Sequence, residues 1–208
     1  MLHVIPGDRI GDHRQLAESM FELRYSVFVE RLGWKLDCRP GREVDQFDHP
    51  GAIHLVVSNP RRQAVASCRM LPTTAPNLLC DIFPYLARDG RPPVDSRIWE
   101  ASRLAVDTRP DRLEGCDNVC GELLAGIMEF ACHLGLSHLV SVSDRRVERI
   151  LKRAGWQLAR LGEPHRMDGF DVMGEITEVS TEALERVRNR CNVTDSLVPH
   201  LEDIRRAA

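Results

Sequence analysis

Apolar positions along the chain change their period several times, and each change predicts an element. Leu2 to Ile5 is a short apolar run that predicts a strand. After the turn between Gly7 and Gly11, residues Leu16, Met20, Leu23, Val27 and Phe28 recur at helical spacing, so an amphipathic helix is expected from about Arg14 to Arg31. Asp37 to Gly51 has no period and is interrupted by Pro40, Gly41 and Pro50, which predicts a long ordered loop carrying Asp45 and Asp48. Ile53 to Ser58 and Ala64 to Leu71 read as antiparallel strands joined by the turn Asn59-Pro60-Arg61-Arg62. A short helical piece is expected over Asn77 to Tyr85 and a strand over Ile98 to Val106. Then follow a helix from Asn118 to Leu134 ended by Gly135, a strand from Leu139 to Ser143, and a helix from Val147 to Ala154 stopped by Gly155. Gln157 to Leu161 and Phe170 to Thr177 predict a last strand pair, and Thr181 to Arg190 a C-terminal helix with Thr181 as its N-cap.

The order β-α-loop-β-β-β-α-β-α-β-β belongs to the α/β (α+β) class, one mixed central sheet with helices on both faces. It resembles the three-layer GCN5-related N-acyltransferase fold, a likeness of architecture that carries no substrate. No repeat, low-complexity tract or flexible linker divides the 208 residues, so residues 1–208 are expected to form a single domain.

Composition narrows the class. Hydrophobic residues at 43% and charged residues at 28% are ordinary for a globular protein, which argues against disorder. No apolar run reaches bilayer length and the N-terminus lacks a signal-peptide core, so a cytoplasmic protein without membrane attachment is expected. The seven scattered cysteines fit a reducing compartment and no disulfide is assigned. A formal net charge of −3 argues against a general nucleic-acid partner. Positive charge is nevertheless concentrated at Arg145, Arg146, Arg149, Lys152, Arg153, Arg160 and Arg166, either a solvated helix face or a field for an acidic partner.

Candidate chemistry lies where charge interrupts apolar sequence. Arg24 and Phe28 stand four apart on one predicted helix with Trp34 just beyond it, and an aromatic wall beside a guanidinium suits a flat cationic ligand. Arg69, Glu100 and Arg103 lie on predicted inner strands, where an isolated charge is costly unless paired. The economical expectation is a buried network in which Arg24, Arg69 and Arg103 meet Asp45, Asp48 and Glu100. Such a network either braces the long loop against the sheet or grips an amino acid's ammonium and carboxylate, and spacing alone leaves both open.

With these residues in view, the chain resembles the acyl-homoserine-lactone (LuxI-type) autoinducer synthases. The signature is the set Arg24, Phe28, Trp34, Asp45, Asp48, Arg69, Glu100 and Arg103, carried by FELRYSVFVERLGW, DQFD, CRMLPT and WEASRLAV in the first half of the chain. The second half is similar more loosely, through HLVSVSDRRVERILKRAGW, and the tail after about Val179 little. The resemblance implies an acyltransferase that moves an acyl group from an acyl carrier protein, or from acyl-coenzyme A, to the amine of S-adenosylmethionine. Lactonisation with release of methylthioadenosine then gives a quorum-sensing signal, with both reactants as substrates and neither a cofactor nor a metal needed. It implies S-adenosylmethionine near Arg24, Phe28, Trp34, Asp45, Asp48 and Arg69, with Glu100 as first candidate base, Asp45 as second, and Arg69 or Arg103 holding the carboxylate. Backbone N–H groups around Ala101 to Arg103 are the candidate oxyanion donors.

The resemblance further implies an acyl pocket at Ala101, Ser102, Met128, Ser141 and Ser143, and carrier-protein docking on Arg145, Arg146, Arg149, Lys152 and Arg153. It divides the chain into a signature half (1–108), an acyl-pocket and docking half (109–180) and a C-terminal helical tail (181–208).

Other features read as structural. Cys116 and Cys120, with Cys132 and His133 nearby, lack the spacing of a zinc site; His49 and His54 flank the DQFD loop without an assigned role; Trp156 is expected in the core. Two rivals remain. One is a GCN5-related N-acetyltransferase using acetyl-coenzyme A, although TRPDRLEGCDNVCGELLAG lacks the expected arginine and double-glycine loop. The other is a catalytically silent binding module, which would have no use for Glu100.

Overall fold

The computed structural model describes residues 1–167 and 169–198; residues 199–208, the end of the expected tail, lie outside the described residues. The strands are β1 (Leu2–Pro6), β2 (Ile53–Ser58), β3 (Ala64–Pro72), β4 (Ile98–Val106), β5 (His138–Asp144), β6 (Leu158–Arg160), β7 (His165–Met167) and β8 (Phe170–Glu178). They form one sheet in the order β1-β2-β3-β4-β5-β8-β6, with β7 also paired to β8. The β2–β3 hairpin closes through Arg62 at φ 59°, the turn expected there. Strand β7 was not expected: three residues, two of them polar, carry no readable alternation.

One pairing sets the shape of the centre. β4 and β5 are parallel and pair only over Ile98–Glu100 and His138–Val140, whereas β5 continues with β8 as far as Asp144. Beyond Glu100 and Val140 the two strands diverge and a gap opens in the sheet.

Side-chain alternation assigns the faces. Leu139 packs with α3 (Val119–His133), α4 (Arg145–Arg153) and α5 (Thr181–Cys191) in the largest core cluster, while Val140 and Val142 pack on the other side with α2 (Leu78–Asp81) and the turn Pro84–Leu86. That second face also carries α1 (Arg14–Tyr25). The result is the expected three-layer α/β arrangement.

Two local departures from regularity matter later. The helix expected to about Arg31 is α-helical only to Tyr25 and continues as a π-helical turn over Ser26–Arg31, with Leu32 N–H donating to the Val27 carbonyl at 3.0 Å. The inserted residue re-aims the end of the helix without exposing Val27 or Phe28, which stay buried. In β4 the register with β3 slips by one residue between Ser67 and Arg69, and Arg103 adopts φ 54°. This bulge turns Arg103 to the same face as its neighbour Ser102, which regular alternation forbids.

The cap of α5 also differs from expectation. Ser180, in extended backbone, accepts the Ala183 N–H through its side chain at 3.1 Å, and Thr181 is the first helical residue. Ser180→Ala is therefore expected to cost about 1 kcal/mol, and Thr181→Ala less than about 0.5 kcal/mol. Urea unfolding of both variants checks the order, and a larger loss for Thr181 would contradict the assignment.

Candidate active site

The cations and carboxylates close into a ring. Arg24, on α1, donates Nε to Glu43 at 2.5 Å and grips Asp48 with both terminal nitrogens, at 2.7 and 2.9 Å. Asp48 accepts from Arg69 of β3 at 3.0 Å, and Arg69 reaches Asp45 at 2.5 Å. Asp45 accepts from Arg103 of β4 at 2.6 Å, and Arg103 returns to Glu43 at 3.0 Å. Three positive and three negative groups thus alternate around a closed circuit.

Most of the ring is shut off from water, with Arg24, Arg69, Glu43 and Asp48 at 1% exposure or less and only Arg103 (9%) and Asp45 (13%) reaching an open edge. Burial opposes charge on both Arg24 and Asp48, but the ion pairs outweigh it: the Arg24 guanidinium is held above its ordinary value and the Asp48 carboxyl well below the usual carboxylate range.

The loop before β2 is built to present its acids. Asp45 accepts the Phe47 N–H at 2.8 Å and Asp48 accepts the Asp45 N–H at 2.9 Å, a tight turn that points both carboxylates at the arginines. Phe21, Phe47 and Phe28 lie beside Arg24, Arg69 and Arg103 at 5.4, 5.6 and 5.7 Å. Trp34 stacks on Phe28, centroids 4.9 Å apart and planes 13° from parallel, leaving Trp34 41% exposed at the rim.

Two expectations need correction. Glu100 is not a member of the network. It is fully buried on β4, and its two oxygens accept the Leu79 N–H at 2.6 Å and the Leu78 N–H at 3.3 Å, at the start of α2. The third carboxylate is Glu43, which the sequence reading missed because it lies in the aperiodic loop; three buried arginines facing only Asp45 and Asp48 were its one available signal. Burial raises the Glu100 carboxyl above its ordinary value, an effect only partly offset by those N–H groups and Arg69.

Ser102 also falls elsewhere than expected. Its hydroxyl accepts from Arg69 Nε at 3.2 Å, on the ring face, whereas Ala101 and Met128 share the cluster on the opposite face. Ser141 and Ser143 are on that opposite face as well, by alternation with Val140 and Val142. The structure therefore brings Ala101, Met128, Ser141 and Ser143 to one side and leaves Ser102 on the other.

All five basic residues expected for docking are exposed along α4. Several are already paired: Arg145 with Asp171 at 2.8 Å, Arg146 with Asp144 at 3.4 Å, Lys152 with Glu148 at 2.7 Å. Clefts of about 170 and 280 Å³ lie at Glu30 and Arg109, away from the ring and the gap. Among the described residues no cluster of His, Cys, Asp and Glu could hold a metal, and no helix is long and apolar enough to cross a membrane.

His54, without an assigned role in the sequence, is 1% exposed on β2 directly opposite Arg69, and neither ring nitrogen has a hydrogen-bond partner.

The three-layer arrangement around a mixed sheet is of GCN5-related N-acyltransferase architecture. The Escherichia coli protein ElaA superimposes with a TM-score of 0.57 at 14% identity, covering 85% of this chain and 97% of that one, a likeness that shows the fold alone. The family model described as Autoinducer synthase matches residues 9–187, and the chain belongs to that family. An acyl-homoserine-lactone synthase of Acinetobacter nosocomialis is 33% identical over 183 residues, 86% of this chain and 100% of the relative. A CoA-dependent acyl-homoserine lactone synthase, BjaI, solved with SAM and isopentyl-CoA, superimposes with a TM-score of 0.85 at 28% identity, covering 100% of this chain and 98% of that one. The acetyl-coenzyme A alternative shares only the architecture.

Two predictions follow from the geometry. Glu43→Ala leaves Arg24 and Arg103 each short of a carboxylate and is expected to cost about 3–5 kcal/mol in denaturant unfolding; a loss below about 1 kcal/mol would show that the ring is not a unit. For His54, burial depresses the imidazole from 6.5 to about 4. Between those values the unfolded chain binds a proton that the folded chain excludes, so stability falls as pH falls, by up to about 1.4 kcal/mol per pH unit. A His54→Leu variant is expected to lose that slope between pH 6.5 and 4, seen in unfolding midpoints against pH.

Proposed function

We propose that this chain transfers an acyl group from a thioester to the amine of S-adenosylmethionine and then closes the homoserine lactone, releasing methylthioadenosine. The observation that carries the reading is the position of the ring's open edge beside a gap between β4 and β5. Asp45 and Arg103 are the two ring members that reach solvent, and they present one carboxylate and one guanidinium to an amino acid's ammonium and carboxylate. Trp34 and Phe28 supply an aromatic surface for the sulfonium. Arg24, Asp48 and Arg69 hold Asp45 and Arg103 in place.

The acyl chain lies on the opposite face, against Ala101, Met128, Ser141 and Ser143. The gap where β4 leaves β5 offers a passage between the two faces, and the thioester carbonyl sits in it, with backbone N–H groups of Ala101 to Arg103 as donors to the oxyanion. Glu100, at the edge of the gap, accepts the ammonium proton, and its raised basicity suits that task; Asp45 is the second candidate. The free amine forms a bond to the carbonyl carbon, the carbon–sulfur bond of the thioester breaks, and the donor sulfur takes the second proton of the nitrogen and leaves as a thiol. The methionine carboxylate then attacks its own γ-carbon, with Arg103 orienting it and Arg69 bracing Asp45 behind, and the sulfonium leaves as neutral methylthioadenosine. No electrons change hands overall, and both reactants are consumed, so the reaction calls for no cofactor.

The exposed cations of α4 offer a surface to an acidic acyl carrier protein, and coenzyme A is the other donor. A cytoplasmic location suits these substrates, and within a single domain residues 1–108 hold the amino acid and residues 109–180 the chain and donor; of the expected helical tail, α5 covers Thr181–Cys191, and residues 199–208 lie outside the described residues.

The test is mass spectrometry of purified protein with S-adenosylmethionine and matched carrier-protein and coenzyme A thioesters. Methylthioadenosine and an acyl-homoserine lactone appearing together are the expected result; acyl transfer without methylthioadenosine would return the chain to the acetyltransferase class. Glu100→Gln is expected to lower kcat by about 10²- to 10⁴-fold at neutral pH, with the KM for S-adenosylmethionine little changed, and full activity would remove Glu100 from the role of base.

A further inference from the structure

On the acyl face one charged side chain stands where apolar lining is expected. Glu175, on β8, is opposite Ser141 of β5 in the strand register and fully buried. Its Oε2 accepts the Ser143 hydroxyl, and its Oε1 has no hydrogen-bond partner. Nearby Glu148 is occupied by Lys152 at 2.7 Å and Arg160 at 3.1 and 3.2 Å. Trp156, packed in the core cluster of the same face, has a buried indole N–H that is likewise unpartnered. A protein of ordinary construction places neither group there without a use, since each buried unpaired polar atom is destabilising.

We infer that Glu175, oriented by Ser143, is a specificity residue that selects acyl chains bearing a hydroxyl group. This deepens the synthase reading and rests on it. A saturated chain on this wall leaves Glu175 Oε1 dry and unpaired. A chain hydroxyl pairs with it in either protonation state, donating to a carboxylate or accepting from a carboxylic acid, whereas a chain carbonyl can only accept and so needs the acid. Burial and the neighbouring Glu148 raise the Glu175 carboxyl, while the Ser143 hydrogen bond, Lys152 and Arg160 act against that rise. At the last paired row, Glu100–Val140–Ile176, two strand spacings of about 10 Å separate β4 from β8, and Glu175 is the next residue beyond that row. The hydroxyl therefore lies within the first several carbons beyond the thioester rather than at the far end of a long chain.

The experiment compares octanoyl, 3-hydroxyoctanoyl and 3-oxo-octanoyl thioesters with wild type, Glu175→Gln and Glu175→Leu, reading kcat/KM for homoserine-lactone formation. Wild type is expected to favour the hydroxylated donor over the saturated one by about tenfold or more. Glu175→Leu is expected to erase that ratio, and Glu175→Gln, which keeps a hydrogen-bonding head, to retain part of it. A purely structural role lowers all donors alike and leaves the ratio standing, which would overturn the inference, as would a wild type that does not discriminate or prefers the 3-oxo chain. A folded wild-type protein that turns over none of the three thioesters would instead refute the synthase reading itself.

Discussion

Six charges sealed away from water must balance one another, and much of this structure is arranged so that they do. A carboxylate or guanidinium left alone in such a place is severely penalised, whereas a pair with good geometry recovers most of the loss. In a closed circuit every member has two opposite neighbours, so no charge depends on a single contact. The circuit draws on α1, on the loop before β2, and on β3 and β4, which ties together segments 79 positions apart from Arg24 to Arg103. The irregular features of the chain follow from the same demand. Arg103 reaches the ring only because a bulge with φ 54° turns it there, and left-handed backbone at a residue other than glycine is tolerated where its surroundings enforce it.

The ring and the gap in the sheet complement each other. A self-neutralised network has little need of a ligand, and its buried members are poor candidates for direct contact with one. For the proposed reaction its value lies in rigidity: Asp45 and Arg103 at the open edge are held by their ring partners before anything binds, which is the condition under which charges stabilise a transition state without reorganising. Glu100 holds a different post. By accepting the first N–H groups of α2 it fastens that four-residue helix to the strand beside the gap, and the same burial that makes it a good cap makes its carboxyl more basic.

The sequence discloses unequally what such a structure contains. Arg69 and Arg103 were legible because a cation within an apolar strand run requires a partner, and Asp45 and Asp48 because the loop carrying them is broken by proline and glycine. Element types were legible wherever period and punctuation agreed, as at Gly135 and Gly155. Glu43 was not, because an aperiodic loop gives no indication of which side chain points inward. Glu100 was placed on the correct strand yet given the wrong partners, since a strand position fixes neither the reach of a side chain nor the helix that caps it. The π-helical turn left no trace because Val27 and Phe28 continue an α-helical period, and the exchange of Thr181 for Ser180 as a cap is the one-residue ambiguity usual at helix ends. Glu175 sits in a run read simply as strand.

These failures share a cause that also separates the two halves of the chain. Around the ring, identity is dictated by charge: replacing any one residue unbalances the others, so the set acts as a unit and can be recognised as one. On the opposite face the wall of Ala101, Met128 and Leu139 is apolar packing, where residues of similar volume substitute at small cost. Such a wall can be reshaped to fit different chains without disturbing the chemistry across the sheet, and for the same reason its selectivity cannot be read from composition. Within it, only a polar group without a partner carries specific information, because an apolar wall accepts many fillings while an unpaired carboxylate oxygen is satisfied by few. Under the proposed function, the constant part of the reaction falls on the charged face and its variable part on the other, joined through the opening where β4 leaves β5.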